Sequence, residues 1–84
     1  FTLGDRITNL ALDTFDLLIQ AVYTRQKLEL LQRANLNLER LRYMIRLCFD
    51  LELLALKRYE YVSREINEVG KQLGGWIKQQ QGTS

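Results

Sequence analysis

The chain has 84 residues, a formal net charge of +2, no histidine, no proline and a single cysteine. That length suits one small domain, residues 1–84, which would bury only about 60% of its unfolded surface, a marginal core. One cysteine excludes an intrachain disulfide, and without histidine a structural zinc site has no ligand set, so partner subunits or packing against a missing segment are the remaining sources of extra support. No apolar run is long enough for a membrane span, and no secretory segment is visible. A free cysteine fits a reducing compartment, so a cytoplasmic location is expected. The chain opens on Phe1 rather than Met, as a processed or truncated protein would.

Thr2 and Asp5 form a T-x-x-D opening, which predicts a capped helix over residues 3–23. Ile7, Leu10, Thr14, Leu17, Leu18, Ala21 and Val22 fall on one face, and Leu12, Phe15 and Ile19 make a second stripe beside it. Two stripes are more than one neighbouring helix covers, so this helix belongs inside a bundle or against another subunit. Asp13 and Asp16 share a face, but no third acid or imidazole joins them. They read as solvated or paired with arginine.

A weak break at residues 24–26 precedes a second helix over residues 27–50. Leu31, Ala34, Leu38, Leu41, Ile45 and Cys48 recur at alternating steps of three and four, the seam of a helix packed on other helices. Leu36, Tyr43, Leu47 and Leu51 lie on another side. This segment also concentrates the positive charge. Residues 25–50 carry six basic and three acidic side chains, whereas residues 1–24 carry one and three. Such a face is either a solvated surface with internal salt bridges or an anion-binding surface.

A helix running unbroken from residue 27 to 79 would be about 80 Å long, too long for a compact domain. A turn is therefore expected at residues 52–55, although that stretch has neither glycine nor proline. The third helix, residues 56–79, has a seam of Tyr59, Val62, Ile66, Val69, Leu73 and Trp76. Trp76 reads as a core or interface anchor. Gly70, Gly74 and Gly75 cost about 1 kcal/mol each in a helix relative to alanine. They mark either a close backbone approach or fraying near the end. Gly82, Thr83 and Ser84 read as a frayed tail. The fold class is thus all-α, an antiparallel up-and-down helical bundle.

Catalysis has little to stand on. Cys48 lies on the buried seam with no histidine to activate it, and no Gly-rich phosphate loop is present. The expectation is no enzyme, no metal and no cofactor. Anion binding has more material: Arg33, Arg40, Arg42 and Arg46 on the second helix, with Lys57 and Arg58 opening the third. Arginine's planar fork suits phosphate. With no base-reading motif, such contacts would go to backbone and shape and would depend on salt. Arg42 or Arg46 could instead pair with Glu39, Glu52 or a neighbour's acid.

Four stretches carry a family resemblance: FTLGDRI at residues 1–7, AVYTRQKLELLQRANLNLERLRYMIRLCFDL at 21–51, RYEYV at 58–62 and EVGKQLGGW at 68–76. In order and spacing they resemble the Avd proteins, the accessory variability determinants of diversity-generating retroelements. The four-helix proteins of ribosomal-RNA intervening sequences share the architecture and are the alternative, as a structural interaction module, but match less well at FTLGDRI and GGW. The Avd resemblance implies an antiparallel four-helix bundle assembled into a homo-oligomeric ring, usually a pentamer. It also implies a non-enzymatic partner of the reverse transcriptase and its template RNA in mutagenic cDNA synthesis, with no small-molecule substrate. Family members carry another helix before FTLGDRI, so the first helix is expected to be missing here, leaving an apolar groove open. The turn reads LELLAL, without the glycine and capping serine often found there. Arg33, Arg40, Arg42 and Arg46 match basic positions of the family's central helix.

Overall fold

The computed structural model describes residues 2–82. It contains α1 (Leu3–Tyr23), α2 (Leu28–Asp50) and α3 (Leu56–Gln81). The helices run up, down and up. The start of α1 lies beside the end of α2, where Arg6 and Met44 line one groove. The start of α2 lies beside the end of α3, where Glu29 and Gln80 line another. α2 packs against both neighbours, whereas α1 and α3 make no close backbone approach among the described residues. The Cα extents of 46 × 24 × 14 Å are those of a single layer of helices that is not closed into a cylinder.

α1 starts as its first residues predict. The Thr2 hydroxyl accepts from the Asp5 N–H at 3.1 Å, and the Asp5 carboxylate accepts from the Thr2 N–H at 3.2 Å. This reciprocal box satisfies two orphan donors of the first turn. The far end of α1 has no basic residue in its last turn. Lys27, four positions beyond Tyr23, supplies the missing cation. Its ammonium donates to the carbonyls of Ala21 at 2.6 Å, Thr24 at 2.7 Å and Val22 at 3.3 Å. A positive charge there complements the helix dipole and satisfies carbonyls that have no intrahelical partner. Lys27 is accordingly the residue before α2, and the link spans residues 24–27.

The seam of α2 is buried throughout: Leu31, Ala34, Leu38, Leu41, Ile45 and Cys48. Leu17 and Ala21 of α1 and Ile66 and Leu73 of α3 complete the core. Thr14 is buried too, and its hydroxyl donates to the Leu10 carbonyl at 2.7 Å, so that hydroxyl is not stranded. Two seam expectations fail. Val22 is exposed rather than buried with Ala21, because one further residue rotates a side chain by about 100° on a helix. Val69 is also exposed, on α3, while Ile77, about two turns further on, packs against the core. Trp76 is half-buried against the same core, as an anchor should be.

The turn between α2 and α3 falls where it is expected. The Leu53 N–H donates to the Cys48 carbonyl at 2.8 Å and the Glu52 N–H to the Phe49 carbonyl at 3.0 Å. Those two bonds make a Schellman ending. Its left-handed position is held by Glu52 at φ 60° rather than by glycine. A Cβ is strained in that region. Glu52→Gly is expected to raise stability by about 0.5–1 kcal/mol, read as a higher urea midpoint with an unchanged slope. Beyond the turn, Tyr59 stacks on Phe49 with centroids 4.5 Å apart and planes 15° from parallel. This pair fixes the start of α3 against the end of α2. α3 then continues two residues further than expected, and Gly82 caps it. The rest of the expected frayed tail, Thr83 and Ser84, lies outside the described residues.

Candidate nucleic-acid interface

The six cationic residues singled out from the sequence divide into three groups. Arg33 and Arg40 are seven apart on α2 and so point the same way, on the side that borders α1. Both are exposed. Neither has a carboxylate within 4.0 Å among the described residues. Arg33 borders a shallow cleft with Asp13, Asp16, Gln20 and Asn37. Asp13 and Asp16 thus face Arg33 across a gap without closing an ion pair.

Arg42 and Arg46 are on the side of α2 that borders α3, and both are tied down. Arg42 is half-buried and paired with Glu39 one turn back. Its guanidinium passes over Gly70, where a Cβ would come within 2.8 Å of Nη2 and 3.4 Å of a Leu38 methyl. Gly70 is therefore a close approach. Gly74 and Gly75 have open space around them. Arg46 is exposed and donates to Asp50 at 3.0 Å. The Tyr59 hydroxyl, and after it the Asp50 carboxylate, raise the Arg46 pKa above its usual value. Its charge is fixed at every working pH. Arg64, Asn67 and Lys71 of α3 surround the Arg42 groove, with Glu65 and Glu68 offsetting their charge.

Lys57 and Arg58 form the third group, in the first turn of α3. They are exposed, with no carboxylate partner within 4.0 Å among the described residues.

The packing adds residues that sequence reasoning did not place in the site. Antiparallel pairing of α1 with α2 brings Arg6 and Asn9 beside Arg40 and Tyr43 around a groove of about 670 Å³. Arg6 belongs to the acidic first segment, so the charge count hides it. Only the register of the two helices carries the signal, and that register is set by contacts distant in sequence.

A second surface is apolar. Leu12, Phe15, Ile19 and Tyr23 are exposed on α1, roughly opposite the buried Thr14, Leu17 and Ala21. They recur at steps of three and four, so they form one continuous stripe. Leu36, Leu47 and Leu51 are exposed on the back of α2 and at its end. Among the described residues, no helix is long and apolar enough to cross a membrane.

The model of one protein family, described as bAvd-like, matches residues 1–80, nearly the whole chain. The chain belongs to the bAvd-like family. The resemblance to Avd proteins drawn from the four sequence stretches is borne out by that match, which runs through all three helices. No curated protein and no solved structure matches the chain.

Proposed function

We propose that this chain is a non-catalytic accessory protein of a diversity-generating retroelement. In this reading it assembles into a homo-oligomeric ring, a pentamer as in the Avd resemblance, and binds the reverse transcriptase and its template RNA. Membership of the bAvd-like family supports the accessory role. The observation that carries the RNA part is the pair Arg33 and Arg40, two exposed guanidinium groups on one face with no ion-pair partner among the described residues. A cation already neutralised by a neighbouring carboxylate gains little from a phosphate, whereas a free one releases counterions from the polyanion when it binds. Arg42 and Arg46, each paired, are better suited to holding α2 and α3 in register. The exposed stripe of α1 supplies the subunit contact.

The test is RNA binding over a salt series. Arg33→Glu with Arg40→Glu is expected to weaken binding of a structured RNA at least about tenfold and to reduce the log–log salt slope by about 1–2. Light scattering should show the same subunit number as the parent. Absent RNA affinity, or affinity indifferent to the double reversal, would overturn the RNA part. Dissociation of the assembly by the same change would instead place these arginines in subunit contacts.

A further inference from the structure

Resting on the RNA-binding reading above, we infer that the α1–α2 groove is a site for an unpaired nucleotide, with its base stacked on Tyr43 and its flanking phosphates held by Arg6 and Arg40. Tyr43 is 77% exposed, so its ring is open to a ligand rather than used in the core. It stands one turn after Arg40 on α2, and both line the groove together with Arg6, Asn9 and Asp13 of α1. An aromatic face flanked by two unpaired arginines is the combination that single-stranded nucleic acid uses. Bases stack on the ring, and guanidinium groups follow the backbone.

The groove also discriminates between forms of RNA. Packed helices have axes only about 8–10 Å apart, so the valley between them admits a splayed base and not a duplex. In an A-form duplex the base faces are stacked on one another and unavailable. Asp13 sharpens the point. Its carboxylate lines the groove and repels phosphate, so the phosphates belong on the arginine rims. Asn9 and Asp13 can then exchange hydrogen bonds with a base edge. Met44 and Leu10 provide an apolar wall against which a base loses little on leaving water.

The experiment compares a 12-nucleotide unstructured RNA with the 12-base-pair duplex, using the intact protein and fluorescence anisotropy. Tyr43→Ala is expected to weaken single-strand binding about tenfold, Tyr43→Phe to leave it near the parent value, and neither to change duplex binding. Arg6→Glu should weaken the single-strand complex as well. Circular dichroism and light scattering should be unchanged, since the side chain makes no core contact. Equal single-strand affinity for Tyr43→Ala and the parent would overturn the inference, as would a parallel loss on duplex. A change in subunit number would overturn it too, by placing Tyr43 in a subunit contact with Leu36 and Leu47. If the parent binds RNA and the Arg33 and Arg40 reversal weakens it while Tyr43→Ala does not, only this inference falls. If the parent binds no RNA of either form, the reading beneath it falls with it.

Discussion

Leu31→Ala is expected to cost about 3 kcal/mol of stability, within the 2–5 kcal/mol span of buried leucine truncations. Among the described residues Leu31 is the one large side chain with no exposed surface, and it belongs to the cluster that joins Ala21 of α1 to Leu73 of α3 through α2. Removing three carbons there loses their transfer energy and leaves a cavity that three separate helices would have to move to fill. The loss falls on a chain of 84 residues, where total stability is on the order of 5–15 kcal/mol. At roughly 4–8 °C per kcal/mol for a domain of this size, the midpoint should fall by well over 10 °C. The control is Leu36→Ala on the same helix. Leu36 is 56% exposed and outside the core, so its truncation should move stability by about 0.5 kcal/mol or less. Urea unfolding of both variants at one protein concentration checks the pair, because a subunit equilibrium would otherwise enter the midpoint. Equal effects at the two positions would mean that Leu36 is covered in the assembled protein or that the core is not centred on Leu31.

What could be read in advance follows how local each signal is. The capping box of Thr2 and Asp5 and the seam from Leu31 to Cys48 depend on spacing within one helix, and both are found as expected. The turn near residue 52 could be placed only by length. The residue that makes the left-handed ending is Glu52, so no glycine announced it. Val22 and Val69 sit at the margins of their apolar faces. Whether such positions are buried depends on a neighbour, and α1 and α3 do not close on each other over them. The cationic candidates show the same limit. Their exposure follows from the wheel, but which are free and which are paired depends on rotamers. Arg42 turns back to Glu39 over the space left by Gly70. Arg6 enters the picture only through the antiparallel register of α1 and α2. Family membership rests on motif order along the chain, which packing does not alter, and so it was legible from the start.

Phe15→Asp combined with Ile19→Asp is expected to convert the proposed ring to single chains of 9.9 kDa while leaving helicity intact. Both side chains are well exposed on α1, in a stripe that continues to Leu12 and Tyr23. They turn away from the core, so acidic residues there cost the isolated chain little; Phe and Asp differ only slightly in helix preference. In an assembled ring the same change buries two carboxylates against apolar neighbours. An unpaired buried charge costs about 3–5 kcal/mol, and this one recurs at every subunit contact. α1 is also acidic, carrying Asp5, Asp13 and Asp16 against Arg6, so the new charges add repulsion to the desolvation penalty. Light scattering after size exclusion reads the outcome. A parent that is oligomeric and a variant that is monomeric, with the same circular dichroism, would assign the stripe to the subunit contact. An oligomer that survives both aspartates would move the contact elsewhere, with the leucines near the α2–α3 turn the next surface to test. A parent that is already monomeric would remove the ring from the proposal. The RNA measurements would then have to be explained by a single copy of the Arg33 and Arg40 face.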